Sequence, residues 1–269
     1  MPALPDDDAI LHRLEELALA AGAEIMAIHV AGCVVEEKAD LSPVTEADRR
    51  AETVILKGLR ESFPDVPCVA EEEASAGLVP PALGDAFFLI DPLDGTKEFV
   101  RRLPDFTVNI ALVRGGRPEL GVVYAPAHGK LYSGRPGRAV AVTVSPDHVA
   151  TERREISVRN CASPKTIVAS RSHRTPETDD FLASQAGAEI VSVGSSLKFC
   201  LLAAGQADLY PRFSRTMEWD TAAGDAVLRA AGGRTRLVDG GAFVYGKRNQ
   251  GHDADFANPW FVAEGRASR

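Results

Sequence analysis

Residues 87–99 read FFLIDPLDGTKEF. Four apolar residues run into two aspartates three positions apart, then into Gly, Thr, Lys and Glu. The unbroken apolar run predicts a short strand covered on both faces, since a half-exposed strand would alternate. Pro92 fixes its own φ and predicts a tight turn at the strand's end. Asp91 and Asp94 then face one point, with the Leu93 carbonyl between them. Like charges gathered in this way repel unless a cation or a shared proton separates them. Gly95 permits close backbone approach, and Gly95-Thr96 predicts the start of a helix whose free N–H groups point at an anion. D-P-x-D-G is also sound turn chemistry by itself, so the motif alone does not make a site.

Two further stretches change that reading. VAEEEAS (69–75) sets three glutamates after an apolar pair; alone, such a run reads as a solvated face. MEWDTAAGDAVL sets Asp220 directly before a small-residue helix, where an aspartate is commonly an N-cap. Carboxylates on three separate elements, with a backbone carbonyl, are the oxygen donors that magnesium takes, waters and substrate phosphate completing its shell.

Outward from these motifs, Ile10, Leu14, Leu17, Ala18, Ala21 and Ile25 recur at helical spacing over residues 8–30, behind an acidic Asp6–Asp8 cluster suited to a helix N-terminus. A second helix is predicted from about Glu46 to Ser62, after the Ser42-Pro43 break, with Val54, Ile55 and Leu59 inward. Val108–Val113 and Leu120–Tyr124 flank RGGRP and predict a hairpin. Residues 145–160 are polar and charged, and a subdomain boundary is placed there, giving an N-terminal α+β subdomain (1–150) and a C-terminal α/β subdomain (151–269). Within the second, KTIVAS, AEIVSV, ADLY and PWFVA read as strands. SLKFCLLAAG and DTAAGDAVLRAAGG read as helices, the latter stopped by Gly232-Gly233. The mixture predicts a layered α/β architecture.

Bulk properties exclude several classes. The 269 residues are 45% apolar and 25% charged, ordinary for a soluble globular chain. No apolar run approaches the roughly 18 residues of a membrane span, and the acidic start is unlike a signal peptide. A net charge of −8 argues against a nucleic-acid or anionic-membrane surface, but not against a small anion in a locally cationic pocket. Four scattered cysteines (Cys33, Cys68, Cys161, Cys200), without a CxxC pair, are the usage of a reducing compartment, so the expected location is cytoplasmic.

TEADRRAE (45–52), AEEE (70–73), DPLDGTKEF (91–99) and WDTAAGDAV (219–227), in this order, resemble the inositol monophosphatase superfamily of magnesium-dependent, lithium-sensitive phosphatases. The resemblance runs from the first helix to about residue 233 and implies a layered α/β/α/β/α sandwich. Within the superfamily the chain looks most like the bacterial 3'(2'),5'-bisphosphate nucleotidases of sulfate assimilation. SPVTEAD (42–48), DPLDGTKEFVRR (91–102), FTVNIALV (106–113), GVVYAP (121–126), SRSH (170–173) and GSSLKFCLLAAGQADLYPRF (194–213) carry that likeness. It implies hydrolysis of 3'-phosphoadenosine 5'-phosphate to AMP and phosphate, extending to the corresponding phosphosulfate, with two or three Mg2+ ions. Bacterial members of the family also associate peripherally with the cytoplasmic face of the inner membrane, an association the resemblance extends to this chain as an expectation.

Carried onto this sequence, the resemblance gives Glu71, Asp91 and the Leu93 carbonyl to one magnesium, and Asp91, Asp94 and Asp220 to a second. Glu73 leaves open a one-residue slip between Glu71 and Glu72, and Glu72 is read as a catalytic carboxylate that either supports the metal ligands from behind or serves a weaker metal site. Asp48 and Thr96 resemble the pair that activates the attacking water, Thr96 accepting from the water while donating to Asp48. Gly95 and Thr96 would cradle phosphate. Ser170, His173, Gly194, Ser195, Ser196 and Lys198, with Arg212 as a further candidate, resemble the nucleotide-binding positions. Arg171, Lys97, Arg101 and Arg102 add positive charge nearby. Inositol monophosphate or fructose 1,6-bisphosphate would be the substrate of a sister phosphatase, which would share all the metal ligands but not SRSH and GSSLKFC. A non-catalytic phosphonucleotide sensor would need the pocket but not Asp48 and Thr96.

Overall fold

The computed structural model describes residues 4–32, 35–37 and 43–266; Cys33 and Ser42 lie outside the described residues. Helix α1 (Asp7–Ala31) is capped by Asp6, whose Oδ1 accepts the Ala9 N–H at 2.8 Å. A ribbon pairs β1 (Val35–Glu37) with β2 (Pro43–Thr45), and α2 (Glu46–Ser62) follows. Ile55 and Leu59 point inward as expected; Val54 is only half-buried, and Leu56 takes the inward place.

The first sheet then builds up as β3 (Cys68–Ala70), β4 (Ala86–Asp94), β5 (Thr107–Arg114), β6 (Arg117–Ala125), β7 (Lys130–Arg135), β8 (Arg138–Val144) and β9 (Ala150–Ile156). Its seven strands lie in chain order, parallel only between β3 and β4. Short helices α3 (Glu71–Ser75) and α4 (Thr96–Val100) leave the ends of β3 and β4. Strand β9 occupies the polar stretch 145–160, so the first sheet extends past residue 150. Thr151 to Glu155 are exposed on both sides of this edge strand, which leaves no alternation to read.

The second half contains β10 (Thr166–Ser170), α5 (Pro176–Ser184), β11 (Glu189–Val193), α6 (Leu197–Ala203), β12 (Leu209–Arg212), β13 (Thr216–Met217), α7 (Glu218–Ala230), β14 (Arg234–Leu237), β15 (Ala257–Asn258) and β16 (Phe261–Glu264). A five-stranded sheet runs in the order β11-β10-β12-β16-β14. Helix α7 starts at Glu218, so Asp220 stands inside its first turn rather than ahead of it.

Side-chain alternation explains the stacking. Phe88 and Ile90 of β4 join Ile110 and Leu112 of β5 against Ile10, Leu14, Ile55 and Leu59 of α1 and α2. Phe87 and Leu89 face the other way, with Ala111 and Val113, toward Phe199 of α6 and Ala222, Ala223 and Val227 of α7. Beyond those helices lie Tyr210, Phe261 and Ala263 of the second sheet. The opposite face of that sheet, Ile167, Ala169, Leu209 and Val262, is covered by Leu182 of α5. The order is therefore α/β/α/β/α. Among the described residues, no helix is long and apolar enough to cross a membrane.

Candidate active site

The ladder between β4 and β5 breaks where the opening motif begins. Asp91 opposes Asn109 and Asp94 opposes Thr107, so three steps on one strand match two on the other. A bulge of this kind re-aims side chains. Asn109 and Thr107 share a face of β5, and the extra residue brings Asp91 and Asp94 onto that same face. Pro92 can sit in the bulge because the ladder bond it cannot donate is missing there anyway. Gly95 then turns with φ 94°, and an added Cβ would stand 2.9 Å from the Asp105 carbonyl oxygen. That position needs glycine for both reasons. Thr96 opens α4 as expected.

Asp48 shows how one carboxylate joins two elements. It is 2% exposed, not the helix-surface group its position would ordinarily suggest. Its Oδ2 accepts from the Thr45 backbone N–H at 2.8 Å and the Thr45 hydroxyl at 2.7 Å, completing the capping box of α2. Its Oδ1 accepts from Thr96 Oγ1 at 3.1 Å; the Leu93 carbonyl lies 3.2 Å from the same hydroxyl.

Four carboxylates converge electrostatically. Asp91 is held well above the ordinary carboxylate range, first by burial, then by Glu71, Asp94 and Asp220, with a hydrogen bond to the Glu71 carboxyl adding to the effect. Burial, then Asp94 and Glu71, raise Asp220 to about 8. Asp94 is raised by burial and opposed by Lys198 and the Ser196 hydroxyl. Groups that make one another hard to ionise lose that cost when a divalent cation sits among them. All the donors are oxygens, which fits a hard ion such as magnesium. No three His, Cys, Asp or Glu side chains among the described residues form a ready-made metal cage. Magnesium does not require one, since it retains waters and takes phosphate oxygens.

These groups floor an open cleft of about 230 Å³ between the two sheets. Glu71, Asp91, Leu93, Asp94, Gly95, Thr96 and Asp220 line one wall; Ser170, His173, Gly194, Ser195, Ser196, Lys198 and Arg212 line the other. Asp48 stands behind Thr96 rather than in the lining. Glu72 is not brought in: it lines a separate hollow with Arg49, Lys57, Arg60 and Glu73 on the outer side of α2 and α3.

The second wall is rigidly held. Lys198 is buried; its ammonium donates to the Ser195 carbonyl, lies 3.4 Å from the Val193 carbonyl, and sits 5.2 Å from the centre of the Tyr210 ring. Burial lowers its pKa to about 8, against the pull of Asp94. His173 is exposed at the rim yet crowded; partial burial first, then Arg212, Lys97 and Lys198, lower it to about 4, so it is neutral at physiological pH. Lys97 Nζ is 3.5 Å from its Nε2. Arg212 reaches the Arg215 carbonyl through Nη2, while its buried Nε has no hydrogen-bond partner among the described residues. Of the other cations named from sequence, Arg171 pairs with Asp105 at 2.7 Å and Arg102 donates to the His29 carbonyl.

Several supporting residues escaped the sequence reading. Glu52 accepts the N–H groups of Glu72 and Glu73 at 2.8 and 2.9 Å, fixing the start of α3 and hence Glu71. It lies four residues after Asp48 in TEADRRAE, one helical turn along the same face, a signal that was available. Glu98 accepts from Ser172 Oγ at 2.5 Å, and Asp105 takes the Gly194 N–H at 3.1 Å and His128 Nε2 at 3.0 Å. Nothing local in the sequence announces these contacts, two of which, to Ser172 and to Gly194, run between the two sheets.

The family model described as the inositol monophosphatase family matches residues 6–267. The chain is 44% identical to the 3'(2'),5'-bisphosphate nucleotidase CysQ of Escherichia coli K12 over 254 residues, 94% of this chain and 98% of that one. The crystal structure of CysQ from Bacteroides thetaiotaomicron, a bacterial member of the inositol monophosphatase family, superimposes with a TM-score of 0.77 at 35% identity, covering 96% of this chain and 97% of that one. The Thermotoga maritima IMPase TM1415 gives 0.75 at 27% identity, over 95% and 92% of the two chains. This chain belongs to the inositol monophosphatase family.

Proposed function

From that membership, we propose that the protein is a magnesium-dependent 3'(2'),5'-bisphosphate nucleotidase. It would hydrolyse the 3'-phosphate of 3'-phosphoadenosine 5'-phosphate to AMP and phosphate, and act likewise on the phosphosulfate. The observation that carries the reading is the two-walled cleft, with carboxylates on one side and a neutral His173, a buried Lys198 and Arg212 on the other. The likeness to the E. coli nucleotidase over nearly the whole chain supports the nucleotide over inositol phosphate or fructose 1,6-bisphosphate.

Glu71, Asp91 and the Leu93 carbonyl would hold one ion, and Asp91, Asp94 and Asp220 a second, with Asp91 shared. Bound magnesium supplies charge neutralisation and Lewis-acid activation of an in-line attack on phosphorus. The chain's own residues supply orientation. Thr96 Oγ1 donates its hydrogen bond to Asp48 Oδ1, which leaves its lone pairs to accept a hydrogen bond from an attacking water and so orient it. Asp48 cannot swing away, since Thr45 holds its other oxygen. Gly95 and Thr96 line the cleft, where their N–H groups would take oxygens of the phosphate to be cut. Arg212 Nε is a buried donor awaiting an acceptor, which suits the second phosphate of the substrate. Glu72 is left out of this mechanism.

Phosphate release is to be measured on 3'-phosphoadenosine 5'-phosphate, inositol 1-phosphate and fructose 1,6-bisphosphate, with magnesium, without it, and with lithium. Strong preference for the nucleotide, abolished without magnesium and inhibited by lithium, is the expected outcome. Preference for inositol phosphate would keep the acidic wall and overturn the nucleotide assignment.

A further inference from the structure

Asn109 and Ser196 form a buried bridge between the two walls. Asn109 is fully buried on β5, directly opposite Asp91, and its Nδ2 donates to Ser196 Oγ at 2.9 Å. Ser196 is 2% exposed, at the entrance to α6. Its hydroxyl lies 3.1 Å from Asp94 Oδ2 and 2.5 Å from the Asp220 carbonyl oxygen. A hydroxyl carries one proton. That proton is committed to Asp94 or to the Asp220 carbonyl, since neither of those oxygens donates when Asp94 is ionised. The Asn109 amide must therefore be the donor on the third side, which turns Asn109 Oδ1 into the interior, where it has no partner among the described residues. The Ser196 hydroxyl thus spends its one proton and one of its two lone pairs on protein groups, which leaves it nothing to donate to a phosphate oxygen.

We infer that Ser196, oriented by Asn109, is a positioning residue that aims the Asp94 carboxylate and the first turn of α7 at the metal site, and does not bind nucleotide through its hydroxyl. The inference rests on the metal site proposed above and revises the role that the GSSLK motif suggests for this serine. It also explains a feature of the loop. Gly194 is tied to Asp105 and the Ser195 carbonyl to Lys198, so the segment that lines the nucleotide wall is anchored at three successive residues. Only the third anchor ends on proposed metal ligands. Partners that orient ligating carboxylates typically change metal affinity by roughly 10–100-fold when lost.

Magnesium binding is to be measured by calorimetry on the wild-type protein, Ser196→Ala, Asn109→Ala and Asp94→Asn, each checked by thermal unfolding, beside KM for the nucleotide at saturating magnesium. The expected result is a magnesium Kd raised roughly 10–100-fold in Ser196→Ala and less in Asn109→Ala, with nucleotide KM unchanged within about twofold. An unchanged magnesium Kd in Ser196→Ala, or a raised nucleotide KM in its place, overturns the inference. If Ser196→Ala does not fold, Asn109→Ala is read by the same criteria. Wild-type protein that binds no magnesium beyond what Asp94→Asn binds would overturn the metal site itself, a different failure.

Discussion

The two walls of the cleft are built by opposite means. On the wall from the first sheet, Asp91 is perturbed by burial and then by three other carboxylates, with no protein cation among its main influences. Across the cleft, cations are tethered: Lys198 to main-chain carbonyls, and Arg212 by one nitrogen to the Arg215 carbonyl. A wall of mutually repelling carboxylates calls for mobile positive charge from outside. A wall of anchored donors presents a fixed shape to a ligand. The first should govern whether any phosphate ester is cut, the second which one.

Substitutions that separate the walls test this division. Asp94→Asn should reduce turnover of every phosphate ester by more than the roughly 10–100-fold that loss of a supporting partner costs; steady-state rates on nucleotide and inositol phosphate alike would show it. A loss confined to one substrate would break the division. Thr96→Ala and Asp48→Asn should each lower kcat by about 10²–10⁴-fold with little change in KM, and the double variant should lose scarcely more than either. Additive losses would mean that the two act separately.

On the other wall, Arg212→Met should remove a charged hydrogen bond of about 1.5–3 kcal/mol, or roughly 10–100-fold in kcat/KM, on the nucleotide only. Equal losses on inositol phosphate would place Arg212 in the common machinery. The smallest effect concerns Asp105, held at about 2 by His128 first, then by the Gly194 N–H and Arg171, against its burial. A folded pKa below the ordinary value of about 3.9 stabilises the native state above that value, and the contribution fades as pH falls toward 2. His128 and Arg171 are more than a third exposed, so screening limits it to roughly 1 kcal/mol. Asp105→Asn should lower Tm at pH 7 and flatten the Tm profile between about pH 4 and pH 2, where the contribution is lost; an unaltered profile would contradict the pairing.

The same contrast separates what the sequence discloses from what it does not. The acidic wall is written in contiguous motifs: strand, bulge, glycine and helix start all fall within FFLIDPLDGTKEF, and α1, α2 and the β5–β6 hairpin follow from periodicity and turn chemistry. Strand β9 was illegible because an exposed edge strand has no alternation. Small residues mark the middle of α7 more clearly than its start, so Asp220 reads as standing ahead of a helix whose first turn in fact contains it. The supporting contacts were hidden for another reason. Asn109 to Ser196, Glu98 to Ser172 and Asp105 to Gly194 join residues more than 70 positions apart, and such pairs exist only once the two sheets are stacked. Glu72 illustrates the reverse: adjacent to Glu71 in sequence, it turns to another surface because neighbouring helix positions point about 100° apart.

The most direct test is diffraction from crystals soaked in manganese, whose anomalous signal marks ion positions. The account predicts peaks in the cleft beside Asp91, one shared with Glu71 and the Leu93 carbonyl and one with Asp94 and Asp220. Peaks only at the protein surface, or none, would contradict it.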